Sequence, residues 1–303
     1  MAPFLLGAKM SDYLVKAIDA TSKLRLLTVS ATNLANQAQL RHNTWPASTA
    51  ALGRTLIGTL LLAAAELTGK EELTTRVLGN GPVGGIIATA KADFTVKGYI
   101  QNPHVQLPAK KPGHIDVGRA VGKKGFLEVT KDLGLKEPYT GQVPLVSGEI
   151  AQDFTYYLAK SEQIPSATGL SVFVNPDETV GAAGGFMLEA LPGASDDLLT
   201  KVTDRIQTLP ALSKLFLDGE KPEDLAKRIL GDDCKILEKD PVMYLCDCSK
   251  AKYAKILMTL KPEELKAMAD EDHGCELTCK FCGEKYRFTE DELRELIAAQ
   301  EDK

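Results

Sequence analysis

The spacing of apolar positions changes period several times along this chain, and each change marks an element. Tyr13, Leu14, Val15 and Ile18 precede a Thr21-Ser22-Lys23 turn, and an apolar, β-branched run at 24–29 follows. That pattern predicts a hairpin over 11–31. Composition turns helical at 32–42, and Trp45-Pro46-Ala47-Ser48 then opens a long helix to residue 67. Gly53 and Gly58 inside it are small enough for close packing against a sheet. Strand-like runs follow at 73–78, 86–90, 95–100 and 126–130, with a proline-bearing loop at Pro103, Pro108 and Pro112. A helix over 147–163 carries core aromatics Phe154, Tyr156 and Tyr157, and two more strands lie at 170–174 and 179–188. Hairpins mixed with three helices predict an α+β domain with a mostly antiparallel sheet and packed helices, ending near Pro192-Gly193.

The pattern then becomes purely helical. Leu199, Val202, Ile206 and Leu209 recur at helical spacing until Pro210, and a second helix at 222–230 starts with Pro222 and stops at Gly231. Such short helices are unstable alone, so apolar residues including Leu212, Leu215 and Phe216 must dock on a neighbour. The segment reads either as an ordinary connector or as a metastable one whose order depends on what it leans on. Beyond it, helices at 249–260 and 262–270, a short strand at 283–288 and a final helix capped from Thr289 hold few apolar residues. Segments of that size often require a metal or disulfides. The expected division is an extension at 1–9 before Met10, a core domain at 10–193, a helical linker at 194–233 and a small C-terminal domain at 234–303.

Charge excludes more than it suggests. With 41 acidic against 36 basic residues the net charge is −5, which argues against nucleic acid as the main partner. The longest apolar run, 55–65, is flanked by Arg54 and Glu66; it is short for a bilayer and suits a buried helix, so no membrane association is expected. A phosphate-loop pattern, Gly79-Asn-Gly81-Pro-Val-Gly84, leads into strand-like Ile86-Ile87-Ala88 instead of a helix, so it reads as a glycine-rich β-turn.

Cysteine placement changes the picture most. All 6 cysteines follow residue 233. Without a secretory signal they point to a reducing, cytoplasmic setting, where metal binding or redox activity outweighs permanent bridging. Cys246-Asp-Cys248 and Cys279-Lys-Phe-Cys282 supply four thiolates, the count of a closed tetrahedral zinc site. Cys234 and Cys275 fall outside the two pairs, and His273 reads as a solvated loop residue. Spacing leaves two roles open: a zinc staple that only holds the tail together, or a switch whose thiolates oxidants attack. Two further readings are a thiol–disulfide oxidoreductase using Cys279 and Cys282, and a zinc-ribbon nucleic-acid module. The strand after the first motif and the acidic tail count against these in turn.

Other stretches carry a resemblance. They are His42-Asn-Thr-Trp45-Pro46, Leu52-Gly53-Arg54, Gly79-Asn-Gly81-Pro82, Ser161-Glu162-Gln163, Ala183-Gly184-Gly185, Cys246-Asp-Cys248-Ser249 and Cys279-Lys-Phe-Cys282 before Tyr286-Arg-Phe288. Together they resemble the redox-regulated thirty-three-kilodalton heat-shock chaperones, bacterial cytosolic holdases, over nearly the whole chain apart from the first nine residues. The resemblance implies a non-enzymatic stress-response protein, inactive while reduced, with one zinc ion per chain on Cys246, Cys248, Cys279 and Cys282. It implies redox-active disulfides Cys246–Cys248 and Cys279–Cys282 on oxidation, zinc loss, linker unfolding, homodimerisation and ATP-independent binding of unfolding clients. Cys234 and Cys275 are not part of that four-cysteine motif.

Overall fold

The computed structural model describes residues 12–108 and 115–301, so the expected extension at 1–9, and Pro112 in the expected loop, lie outside the described residues. The chain divides into two compact units, the first ending at Leu245 and the second starting at Cys246. In chain order the first holds β1 (Tyr13–Ile18), β2 (Leu24–Ser30), α1 (Thr32–His42), α2 (Pro46–Glu66), β3 (Glu72–Leu78), β4 (Gly85–Lys91), β5 (Thr95–Ile100), α3 (Val117–Val121), β6 (Phe126–Asp132) and β7 (Tyr139–Pro144). It continues with α4 (Ala151–Lys160), β8 (Ser166–Val174), β9 (Val180–Ala190), α5 (Asp196–Gln207), α6 (Leu212–Leu217), α7 (Pro222–Leu230), β10 (Lys235–Pro241) and β11 (Met243–Tyr244).

The antiparallel pairing expected from the hairpin signals is present, distributed over two sheets. One runs β10-β1-β2-β9-β8 and the other β11-β5-β4-β3-β6-β7, antiparallel except where β11 lies parallel to β5. The predicted long helix is α2, which packs against strands of both sheets. It is long and apolar enough to cross a membrane by length and composition, yet it is buried inside the fold. Its two glycines explain how it fits. A Cβ on Gly53 would sit 2.8 Å from Val172 of β8, and one on Gly58 would meet the Phe154 ring at 2.4 Å. The Gly79–Gly84 pattern forms the β3–β4 connection and leads into a strand, with Gly84 at φ +68°.

Helix α4 begins at Ala151, later than the spacing suggests, because the chain first makes a strained turn. Ile150 sits at φ 72° and ψ −50°, a conformation a β-branched residue adopts only when its surroundings impose it. Buried Asp153 does so: its carboxylate accepts the backbone N–H groups of Val146 (2.8 Å), Ser147 (3.0 Å) and Ile150 (2.9 Å). Strand β7 and helix α3 have no counterpart in the sequence reading.

The helices of 194–233 dock on the five-stranded sheet. Leu24, Leu26, Phe186 and Leu188 of β2 and β9 form a core with Val202, Leu215, Phe216, Leu225 and Ile229 of α5, α6 and α7. Residues 235–245, read as part of the C-terminal domain, belong instead to the first unit. Strand β10 pairs with β1 from Ile18↔Lys235 to Tyr13↔Pro241, with one register shift. Its side chains are mostly exposed, so apolar patterning is silent about it; backbone hydrogen bonds to the free edge of β1 hold it.

The second unit contains α8 (Lys250–Leu257), α9 (Pro262–Asp270), β12 (Gly274–Thr278), β13 (Lys285–Thr289) and α10 (Glu290–Glu301). Its core is small: Leu257, Leu265, Ala269, Phe288, Leu293 and Ile297.

Two consequences can be measured. Gly58→Ala gains helix propensity, about 1 kcal/mol, but drives a methyl into the Phe154 ring, and overpacking of this kind costs about 1–3 kcal/mol. A net fall in the chemical-denaturation midpoint is expected, and a raised midpoint would show that Phe154 moves aside freely. Asp12 supplies the second. Its carboxylate accepts the Leu34 N–H at the start of α1, yet burial outweighs that bond and pushes its pKa up to about 6. Its folded pKa lies above the unfolded value of about 3.9. The fold therefore holds this proton more tightly than the unfolded chain does, and the contribution of Asp12 falls as pH rises from about 4 to 6. Melting temperatures of wild type and Asp12→Asn should diverge in the variant's favour across that window.

Candidate metal centre

Two short backbone devices bring four sulfurs together. Cys246 and Cys248 lie on the extended stretch before α8, whose first turn is capped by the Ser249 hydroxyl accepting the Lys252 N–H. Cys279 and Cys282 lie in the β12–β13 turn. There Cys279 N–H donates to the Glu284 carbonyl and Gly283 N–H to the Cys279 carbonyl, each at 2.8 Å. The turn closes at Gly283, whose φ of 75° suits glycine.

The sulfurs of Cys246, Cys248, Cys279 and Cys282 all lie within 4.8 Å of one another. Cys246 Sγ is 3.8 Å from Cys279 Sγ, and Cys248 Sγ is 3.3 Å from Cys282 Sγ. A tetrahedron with metal–sulfur bonds of about 2.3 Å has edges of about 3.8 Å, so the donors have the size of a four-thiolate site. Four soft sulfurs in this arrangement suit zinc or iron. Cys279 and Cys282 are buried and the other two half-buried.

The thiols do not share one acidity. Burial pushes Cys246 up to about 11 and raises Cys282 as well. Burial also works against ionisation of Cys279, but hydrogen bonds from the Tyr253 hydroxyl and from the backbone of Phe281 and Cys282 outweigh it and bring the thiol down to about 7. Tyr286 donates towards Cys248 Sγ at 3.1 Å, and its ring stacks on Tyr253 at 4.9 Å. A divalent cation removes the mutual opposition, because it stabilises every thiolate at once.

All four cysteines of the two motifs thus stand in one cluster. Cys234 and Cys275 stand apart from it. Cys234 packs beside the core under α5–α7, Cys275 lies on β12 against the small core, and burial raises both thiols. His273 is exposed and contacts the Glu290 carboxylate at 3.0 Å. Cys279-Lys-Phe-Cys282 sits between two strands, whereas oxidoreductase motifs open a helix. The sequence reading missed Tyr253 as a partner of the site. Its only signal is its place in the first turn after Cys248-Ser249, and a lone tyrosine there reads equally as core.

Comparison with known proteins identifies a family. The family model described as Hsp33 protein matches residues 12–289. A 33 kDa chaperonin of Lactobacillus delbrueckii subsp. bulgaricus is 68% identical over 288 residues, covering 95% of this chain and 98% of the relative. One from Lactobacillus helveticus is 68% identical over 293 residues, covering 97% and 99%. The crystal structure of a 33 kDa chaperonin, a heat shock protein 33 homolog, from Thermotoga maritima has a TM-score of 0.89 at 37% identity and covers 97% of this chain and 100% of that one. The chain belongs to the Hsp33 family of chaperones.

Proposed function

We propose that this chain is a redox-switched, ATP-independent holdase of the cytoplasm, held inactive by one zinc ion on Cys246, Cys248, Cys279 and Cys282. The observation that carries the reading is the four-sulfur cluster in a unit whose own apolar core holds only six buried side chains among the described residues. Zinc bound there keeps the sulfurs as thiolates and ties the β12–β13 turn to the stretch before α8. Structural zinc contributes on the order of 10 kcal/mol, comparable to the whole stability of a small domain, about 5–15 kcal/mol.

Oxidation spends the donors. Peroxide joins Cys246 to Cys248 and Cys279 to Cys282; each disulfide yields two electrons, and one peroxide per disulfide is reduced to water. The cluster then has no thiolates left to hold a cation, and its unit loses the cross-link. Leu245 N–H donates to the Val96 carbonyl at 3.0 Å one residue before Cys246, so unravelling runs next into β11, β10 and the helices α5–α7. Release of those helices uncovers Leu24, Leu26, Phe186 and Leu188, an apolar sheet face of the kind that binds unfolding clients. The same exposed face favours a homodimer in the activated state.

Zinc content, free thiols and suppression of aggregation of a thermally unfolding protein should change together after peroxide with mild heat. About one zinc per chain and no suppression are expected when reduced. Equal suppression by the reduced, zinc-loaded protein would sink the switch. Phe216→Ala tests the linker. Removing a buried phenylalanine costs about 3–5 kcal/mol, enough to loosen α6 from β9. The reduced variant should suppress aggregation with its zinc still bound; wild-type inactivity would show that the helices do not gate the surface.

A further inference from the structure

We propose that the free edge of β8 is a docking strand for an extended segment of a non-native polypeptide, which adds to the five-stranded sheet by backbone pairing. The proposal rests on the holdase reading and names where such a chain is held.

Strand β8 ends its sheet. The Thr168 N–H points away from β9 and is taken by the Thr155 hydroxyl at 3.0 Å. Backbone direction alternates along a strand, so the N–H and C=O groups of Leu170 and Val172 point the same way. The β9 side gives the same answer independently. Ala183, opposite Val172, donates its N–H to the Thr32 hydroxyl and accepts the Ala31 N–H, so Val172 and Ala183 do not bond to each other. No described residue pairs with the outward groups of Leu170 and Val172.

Those groups border a groove of about 550 Å³. Ala151 and Gln152 of α4 form one wall and Ala211 to Ser213 at the start of α6 the other. At one end Arg54 and Glu149 pair at 2.8 Å, which closes that charge on itself. The groove therefore selects no net charge, and it offers backbone hydrogen bonding beside apolar side chains such as Ile115 and Leu212. Backbone is what unrelated unfolding sequences share, and strand addition to a sheet edge is the chemistry that reads it.

The two edges of this sheet differ in how they are guarded. Strand β10 carries Lys235, Glu238, Lys239, Asp240 and Pro241, the charges and proline that deter pairing. Residues 170–174 of β8, Leu-Ser-Val-Phe-Val, carry neither charge nor proline. The wall at α6 belongs to the segment whose release the holdase reading requires, so activation widens the groove.

The test uses the full chain, oxidised, with a heptapeptide of alternating valine and threonine and its analogue N-methylated along one edge. Binding of the parent peptide should slow amide exchange at Leu170 and Val172 at least about tenfold, and N-methylation should weaken binding by about tenfold, the loss of one or two net hydrogen bonds. Gln152→Trp, an exposed change that overhangs the groove, should weaken it similarly without altering the circular dichroism spectrum. Unchanged exchange at Leu170 and Val172, or equal binding of the methylated peptide, overturns the groove; if wild type still suppresses aggregation, the holdase reading stands without it. Protection that appears without peptide and rises with dimer in sedimentation assigns the edge to a second copy and overturns the proposal. A wild type that suppresses no aggregation in either redox state removes both.

Discussion

Four sulfurs within 4.8 Å of one another cannot all ionise without a cation among them, and they cannot hold a cation once joined in pairs. That exclusion is the constraint on which the second unit depends. Its apolar core of six residues is what a chain of this length can assemble, and ion pairs such as Lys252–Asp247 and Arg294–Asp270 are exposed and add little. A unit of this composition has few means of staying folded besides the bonds its cysteines make. The Tyr253 hydroxyl, set against Cys279, lowers the cost of keeping that sulfur as a thiolate, and the Tyr286 hydroxyl lies 3.1 Å from Cys248 Sγ.

The first unit is built on the opposite principle. Helix α2 packs against strands of both sheets, and its glycines bring Val172 and Phe154 within contact of its backbone. Close packing of this kind is stable and unyielding. Yet the same unit carries a layer of a different kind, in which α5, α6 and α7 cover β2 and β9 through a separate, smaller core. These helices are short and strongly amphipathic, and they exist because the sheet face needs a cover and they need a face.

Backbone pairing decides what apolar packing leaves open. Strand β10 joins β1 with almost nothing buried, which places 235–241 in the first unit although its cysteine-bearing continuation lies in the second. Strand β8 shows the converse: Leu170 and Val172 are buried, and their outward backbone groups pair with no described residue. Buried Asp153 holds the strained Ile150 turn beside Glu149, which places the Arg54–Glu149 pair at the groove.

The sequence by itself determined the elements whose physics is local. The β1–β2 hairpin, α2, the helices α5 and α7 and the last helix α10 were legible from periodicity, proline and capping, because each depends on residues a few positions apart. The candidate site was legible too, since ligand count and spacing are written in Cys246-Asp-Cys248 and Cys279-Lys-Phe-Cys282. What the tertiary structure decided is non-local. Strands β7, β10 and β12 bury little; β10 takes its place from β1, distant in the chain, whereas β7 and β12 pair with β6 and β13, the neighbouring strands of their hairpins. The late start of α4 follows from one buried carboxylate, and Tyr253 joins the site only because β12 and β13 carry Cys279 to it. The separation of Cys234 and Cys275 from the cluster likewise needed coordinates: a cysteine's chemistry is set by which sulfurs stand within reach, and sequence spacing reports that only for near neighbours.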